Sequence, residues 1–364
     1  MKKKLLAVLR FSFFLGIGVF FIWLFLRNLT TDQKQEIVKA FKIANYWWIA
    51  IAIVLGLLSH WVRAMRWRTL IEPMGYSPGK GNIYMAVLVG YLANLALPRL
   101  GEVTRCGILT QYEKIPFNKS FGTVVTERII DFLTFILLLF FLILTQSGKI
   151  NYYVQQKIYE PLQAKFNLEL SYQSSLLWVM ILGIAIVVVL FLVFHKRYQT
   201  SKIYLKFKSL LSGFVTGLSS LTKIKKPVKF LIYTFLLWTF YLLMAYVVFF
   251  SLPETASLKL DAGLAVLVLG SIGIMIVQGG IGIYPAIVAE TLFLYSIPST
   301  TGYAMGWLIW ASQNVMILVA GLFSLLLLNV LNNKGNDDIA TNAAKNTEQS
   351  DAREGVRELE RSEK

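Results

Sequence analysis

Apolar positions along this chain form long continuous runs, not the alternating or one-sided patterns of soluble strands and helices. Six of these runs approach or exceed the ~20 helical residues that cross a ~30 Å hydrocarbon layer. They predict membrane-spanning helices at residues 5–26, 47–66, 121–145, 176–194, 230–250 and 303–328. Because backbone polar groups in hydrocarbon need internal partners, the pattern predicts an all-α integral membrane protein.

Two further apolar stretches, at residues 82–98 and 262–298, are irregular, and glycines at 279, 280 and 282 interrupt the second one. Residues 32–44 place Ile37 and Phe41 four apart, which fits either a short interfacial helix or an amphipathic loop. The residues after 332 are polar and aperiodic. We therefore expect one membrane domain at 1–330 and a disordered tail at 331–364.

The positions of lysine and arginine predict the orientation. Residues 195–229 contain nine basic residues and no acidic ones, so this loop is predicted to be cytoplasmic. Counting crossings from it, and from the basic N-terminus, places both flanks of residues 82–98 inside. That stretch must then be a re-entrant hairpin that turns near Pro98. The stretch at 262–298 starts and ends outside, either as a second hairpin or as two short crossings, and both termini are cytoplasmic.

Each half of the predicted protein thus reads as a span, a broken hairpin and another span, with hairpins that open in opposite directions. This arrangement is typical of inverted-topology repeats, in which interrupted segments point to a binding site near the midplane. Non-helical backbone at membrane depth also requires burial in protein or a water-filled cleft. We therefore expect either a midplane cleft or, as the alternative, kinks within packed helices.

Composition limits the function classes. Hydrophobic residues make up 56% of the 364, and the mean hydropathy is +0.60. The net charge is +16, and the basic residues lie between the apolar runs. This distribution is expected for residues that face a membrane surface and not for a nucleic-acid-binding protein. Cys106 is the only cysteine, which excludes intrachain disulfides and cysteine-based metal clusters. Since the sequence also shows no nucleophile–base pair and no phosphate loop, we expect no catalytic residues, metal or cofactor.

Charged residues near the first break are the candidate site. Arg99 and Arg105 are expected to bind a lipid phosphate, because a guanidinium can grip it with two hydrogen bonds. The alternative is a structural ion-pair network. The amides of Gly279, Gly280 and Gly282 are candidates for an anion or for close packing. The residues expected to complete this substrate-binding set are Asn94, Glu102, Glu127, Arg128 and Asp131.

Other polar residues have less specific expectations. Arg63, Arg66 and Arg68, with Trp61 and Trp67, are expected to anchor the end of the second span at the membrane surface. Polar residues within the last segments, such as Gln313 and Asn314, are expected to form interhelical hydrogen bonds.

Two motifs resemble a known family. Asn94-x-x-x-Pro98-Arg99-x-Gly101-Glu102-x-x-Arg105, followed by Glu127-Arg128-x-x-Asp131 and the later glycines, is similar to the lysylphosphatidylglycerol synthase transmembrane-region family. This is the flippase-like module of bacterial multiple peptide resistance factors, which also occurs alone. The resemblance covers about residues 5–330. The family's glycine motif often has Pro before it and Glu soon after, whereas Val277-Gln278 and Tyr284-Pro285 flank it here.

The resemblance implies translocation of aminoacylated or other anionic phospholipids in a bacterial inner membrane. Only a short polar segment follows the last span, so the synthase activity of the family name is not expected. A membrane-embedded lipid-modifying enzyme and a non-catalytic membrane subunit remain the alternatives.

Overall fold

The computed structural model describes residues 29–97, 99–154 and 226–362, together with residues 22, 23, 26 and 27. The predicted span at 176–194, most of the span at 5–26 and Pro98 lie outside the described residues. Within the described part every regular element is helical. The α-helices are α1 (Thr31–Ile43), α2 (Tyr46–Ile71), α3 (Lys80–Ala96), α4 (Leu100–Glu113), α5 (Phe117–Val154), α6 (Pro227–Val248), α7 (Leu260–Ile276), α8 (Ile283–Phe293) and α9 (Ser299–Ser362).

Four described segments are long and apolar enough to cross a membrane: 46–74, 117–149, 227–251 and 299–332. They correspond to four of the six predicted spans, so the all-helical membrane architecture is confirmed for the described residues. The helices α7 and α8 are apolar but shorter. Helix α9 continues to Ser362, so the backbone of residues 331–362 is helical where the sequence predicts disorder. The disordered tail and the domain boundary at residue 330 both stay predictions.

Hairpin 1 consists of α3 and α4, which pack together on either side of the first break. Leu97 is extended, as expected for a residue before proline, and Arg99 has a left-handed φ of 63°. The side chain of Asn94 accepts a hydrogen bond from the Gly101 amide at 2.7 Å. A Cβ atom on Gly101 would lie 2.0 Å from the carbonyl oxygen of Gly90, so the two backbones meet without side chains between them.

Hairpin 2 consists of α7 and α8, joined by the glycine-rich break. Gly279, Gly280 and Gly282 have φ values of 69°, 69° and 73°, a region that L-residues with a side chain rarely adopt. The indole of Trp310 on α9 donates a 2.6 Å hydrogen bond to the Gly279 carbonyl. The glycine pattern therefore sets the backbone of this turn, and α9 fixes its position.

The chain turns collect at two ends of the molecule. At the Lys226 end, Lys226 lies 3.4 Å from Glu72, and Asn82 contacts both Glu113 and Asn332 at 2.6 and 3.0 Å. Both open ends of hairpin 1 therefore lie here, next to the last apolar turn of α9.

The other end, named the Asp261 end, holds the remaining turns. Gln146 donates to the carbonyl of Asp261 at 2.8 Å and accepts a hydrogen bond from the hydroxyl of Tyr295. Thr300 and Glu36 are hydrogen-bonded at 3.0 Å, which joins α9 to α1. Both open ends of hairpin 2 thus lie at this end. Each hairpin therefore returns to the end where it began. The count of membrane crossings from the lysine and arginine positions assigns the described turns to the same two groups.

The two halves pack reciprocally. Helix α2 packs against α6, the first span of the second half, while α3 of hairpin 1 packs against α9 and α7 of hairpin 2 packs against α5. The turn at 278–280 also touches α3, so the tip of hairpin 2 meets hairpin 1 inside the molecule. This exchange of partners is the pattern that a two-fold relation between halves would produce; the inverted repeat itself stays a prediction.

The structure decides between the two alternatives for residues 32–44, a short interfacial helix and an amphipathic loop. Residues 31–43 form a helix with a capping box between Thr30 and Gln33, and Ile37 and Ala40 are buried against the rest of the protein. The helix, not the loop, is therefore the structure of this segment.

Candidate functional site

Five charged side chains from three helices meet inside the first half, and we name them the arginine cluster: Arg63, Arg66, Arg105, Glu127 and Asp131. Glu127 lies at the centre, 2.5 Å from Arg63, 3.3 Å from Arg66 and 3.1 Å from Arg105. Asp131 adds contacts of 3.1 Å to Arg63 and 2.7 Å to Arg66.

Helical spacing brings these residues together. Arg63 and Arg66 are three apart on α2, and Glu127 and Asp131 are four apart on α5, so each pair shares one helix face. Arg66 and Glu127 have no exposed surface, and Arg63 and Arg105 are 4% and 3% exposed. Arg63 precedes Glu72 by nine residues, which places it ~14 Å along α2 from the Lys226 end. The cluster is therefore well inside the protein and not at its surface.

The charges in the cluster do not cancel. Three guanidinium groups face two carboxylates, which leaves one positive charge. Nε and Nη1 of Arg66, and Nε and Nη2 of Arg105, have no hydrogen-bond partner among the described residues. The guanidinium of Arg105 lies 4.6 Å from the Trp67 ring centre, close enough for a cation–π contact. A buried site with excess positive charge and unused donors attracts an anion.

The space beside Arg105 is nearly closed. A cavity of about 10 Å³ lies between Asn94, Glu102, Arg105 and Arg128, which is room for one water molecule at most. In this conformation the cluster braces α2, α4 and α5 together, and a lipid phosphate does not fit beside Arg105 unless hairpin 1 moves.

Arg63 and Arg66 correct the sequence analysis, which expected them to anchor the second span at the surface. They are buried ion-pair partners of Glu127 and Asp131 instead. Arg68 stays near the Lys226 end, 3.6 Å from Glu72. Trp67 is fully buried and donates to Thr123 at 2.8 Å. The spacing of the arginines could have indicated this, because Arg63 and Arg66 lie on one face of the helix while Arg68 lies on another.

The predicted site residues divide into four groups. Arg105, Glu127 and Asp131 belong to the cluster, whereas Glu102 and Arg128 form a separate 2.9 Å pair in which Arg128 is partly exposed. Arg99 is exposed at the tip of hairpin 1 and has no ion pair among the described residues. The break residues Asn94, Gly279, Gly280 and Gly282 shape the hairpins.

A second polar feature, the central cavity, lies between the two halves and has a volume of about 190 Å³. Side chains from α2, α3, α6, α7, α8 and α9 line it, and the polar ones are His60, Tyr91, Tyr241, Ser271, Tyr284 and Gln313. Arg63 connects this cavity to the arginine cluster, because its Nε donates to the Tyr241 hydroxyl at 3.2 Å. Asn314 donates a hydrogen bond to the Trp310 carbonyl of its own helix, whereas the sequence analysis expected an interhelical hydrogen bond.

Comparison with known proteins decides the family. The family model described as the lysylphosphatidylglycerol synthase TM region matches residues 8–321. The chain belongs to this family. The match includes both hairpins, the arginine cluster and the central cavity, so the family resemblance that the motifs indicated is confirmed.

Similar curated proteins include two archaeal membrane proteins and an archaeal glycosyltransferase. The chain is 29% identical over 145 residues to the UPF0104 membrane protein MJ1595 of Methanocaldococcus jannaschii, covering 39% of this chain and 40% of that protein. It is 27% identical over 121 residues to a UPF0104 membrane protein of Methanothermobacter thermautotrophicus, covering 32% and 35%. It is 26% identical over 103 residues to glycosyltransferase AglD of Haloferax volcanii, covering 28% and 16%. The alignments thus span less than half of each relative, and no solved structure matches the chain.

Proposed function

We propose that this protein moves phospholipids between the leaflets of a bacterial inner membrane without hydrolysing nucleotides. The observation that carries the proposal is the pair of broken hairpins, which enter from opposite ends and meet beside a cavity with polar side chains in its wall. A lipid headgroup crossing a membrane needs polar contacts at mid-depth, and broken helices that line a cavity are a known way to supply them.

The arginine cluster supplies the attraction for the phosphate. Its excess positive charge and the unused donors of Arg66 and Arg105 favour an anionic group in a region where water is scarce. Arg99, exposed at the tip of hairpin 1, is the first contact for a phosphate that enters from the membrane. The turn amides of Gly279, Gly280 and Gly282 are the corresponding contact on hairpin 2.

Movement of the hairpins would open the site to each leaflet in turn. Hairpin 1 is tied to α9 by Asn82 and Asn332 at the Lys226 end, and hairpin 2 is tied to α5 by Asp261 and Lys149, 2.8 Å apart, at the Asp261 end. Releasing one tie while the other holds would expose the cavity on one side only. By the positive-inside rule we propose that the Lys226 end, and both termini, face the cytoplasm.

Reconstitution tests this function. The purified full chain would be placed in liposomes that carry a trace of fluorescent phospholipid, and external dithionite would then be added. Transport predicts that the inner-leaflet fluorescence is also lost, at a rate that rises with the number of protein copies per vesicle. A rate equal to that of protein-free liposomes, with correctly inserted protein, would rule the function out.

One observation favours an enzymatic alternative, namely the glycosyltransferase among the relatives. A lipid-modifying enzyme predicts that a lipid species is missing from a deletion strain. Transport predicts an unchanged lipid inventory with an altered distribution between the leaflets.

A further inference from the structure

The lining of the central cavity indicates which headgroup the site accepts. At about 190 Å³ the cavity is smaller than the ~300–1,000 Å³ of typical ligand pockets, which suits a headgroup and not a whole lipid. Its polar lining consists of uncharged groups: an imidazole, three phenols, a hydroxyl and an amide. Among the described residues no carboxylate lines it.

His60 is the strongest sign that a ligand belongs there. Its side chain is 5% exposed, yet neither ring nitrogen has a hydrogen-bond partner in the described part of the chain. A neutral imidazole presents one donor and one acceptor, and leaving both unused in a buried place is costly. A ligand hydroxyl, which both donates and accepts, satisfies either nitrogen.

A positive charge lies close to His60. Arg63 lies one helical turn away on α2, and its Nε reaches the cavity wall at the Tyr241 hydroxyl. The two carboxylates of the arginine cluster contact the guanidinium groups of Arg63 and Arg66 and do not line the cavity. A cationic headgroup would therefore enter a space with no counter-charge and with a guanidinium beside it, whereas a phosphate would meet that guanidinium favourably.

We infer that the central cavity selects anionic phospholipids whose headgroup is an uncharged polyol, such as phosphatidylglycerol, and excludes lipids with an amino-bearing headgroup. This inference rests on the proposed transport function. The phosphate lies towards Arg63, and the hydroxyl groups of the headgroup bind His60, Tyr284 and Gln313.

The test compares two labelled lipids in proteoliposomes of the full chain: phosphatidylglycerol and its lysyl ester. The inference predicts that phosphatidylglycerol crosses at least about tenfold faster, which corresponds to ~1.4 kcal/mol of discrimination. Equal rates, or faster movement of the lysyl ester, would overturn the selectivity while leaving transport itself established.

Gln313→Glu adds the missing counter-charge with almost no change in shape. It should reduce or reverse the difference in transport rate between phosphatidylglycerol and its lysyl ester. Gln111→Glu is the matched control, because Gln111 is exposed near the Lys226 end and lies outside the cavity; it should leave the ratio unchanged. An unchanged ratio in correctly folded Gln313→Glu would contradict the assignment of the headgroup to this cavity.

If the protein transports neither lipid, a binding measurement still tests the headgroup selectivity, independently of the transport function. Short-chain phosphatidylglycerol should raise the melting temperature of the detergent-solubilised protein more than its lysyl ester does. Equal shifts for both lipids would overturn the inference.

Discussion

At the residue scale, the arginine cluster combines a structural role with an electrostatic one. Among the described residues, Glu127 is the only carboxylate within ion-pair distance of all three cluster arginines. Burying charges is costly unless they are paired, and removing one partner of a buried pair leaves an uncompensated charge. The cluster therefore fixes how α2, α4 and α5 sit together, and its surplus charge remains for an anion.

Replacing Glu127 tests the structural role. Glu127→Gln should lower the free energy of unfolding by about 3–5 kcal/mol, because three buried guanidinium groups lose their shared partner. Thermal unfolding in detergent would measure the change. Glu102→Gln is the matched control, since Glu102 pairs with the partly exposed Arg128, and its loss should cost at most about 1 kcal/mol. Equal losses in both variants would contradict the central position of Glu127.

Arg99 tests phosphate contact without the problem of a buried charge. Arg99 is exposed, and Lys or Gln would meet the same backbone requirement at its left-handed φ of 63°, so Arg99→Lys and Arg99→Gln should fold normally. We expect both to transport phospholipid more slowly, because each loses the planar two-point grip of the guanidinium. Unimpaired transport at matched protein levels would remove Arg99 from the site.

The sequence could predict the charges of the site but not all of their partners. The motif around Arg105, Glu127 and Asp131 identifies residues that must be paired or functional inside a membrane. Arg63 and Arg66 were misassigned because an arginine near the end of an apolar run fits an anchor equally well. Only the packing of α2 against α5 distinguishes the two, and that contact is long-range.

At the element scale, the hairpins depend on glycines that allow close contact. In hairpin 1 the α3 and α4 backbones touch at Gly90 and Gly101, and in hairpin 2 the ring of Tyr284 packs on Gly270. Positive φ at Gly279, Gly280 and Gly282 explains why that motif is glycine-rich. The sequence located both breaks, since Pro98 and the glycines interrupt apolar runs, but the contacts between the limbs have no local signature.

A pair of alanine substitutions in α4 tests the close contact. Gly101→Ala would place a Cβ atom 2.0 Å from the Gly90 carbonyl oxygen, so the limbs must separate, at a cost of about 1–3 kcal/mol. Gly107→Ala meets no atom within 4 Å and should be neutral or slightly stabilising. Melting temperatures of the two variants would show the difference, and a stable Gly101→Ala would contradict the packing of hairpin 1.

At the scale of the whole molecule, the proposed function depends on which turns lie at the Lys226 end and which lie at the Asp261 end. The contacts at the Lys226 end and at the Asp261 end sort the described turns into the same groups as the crossing count from lysine and arginine positions. The count needs no contact information, because parity alone forces 82–98 to return to its own side. What it cannot supply is the reciprocal packing of the halves, which depends on shape and not on charge.

Thiol labelling tests the orientation of these ends. In a Cys106→Ser background, Lys80→Cys and Lys114→Cys lie at the Lys226 end and should resist impermeant reagents added outside intact cells. Lys259→Cys, one residue before α7 at the Asp261 end, should react quickly. Rapid external labelling at position 80 or 114 would exclude a re-entrant hairpin 1 that opens to the cytoplasm.

The central claim is that lipid crosses when a hairpin moves against the opposite half. The most direct measurement uses a Cys106→Ser protein in which Asn82→Cys and Asn332→Cys are joined by a short thiol cross-linker. Its lipid transport is measured in proteoliposomes by the extraction of labelled lipid with albumin. The side chains at these positions are 3.0 Å apart in the native protein, so the link ties hairpin 1 to α9.

The control link joins Asn82→Cys to Glu113→Cys, whose native side chains are 2.6 Å apart within hairpin 1. The account predicts that the hairpin-to-α9 link stops transport, while the link within hairpin 1 leaves it intact. Transport at the unlinked rate through fully cross-linked Asn82→Cys/Asn332→Cys protein would contradict the account.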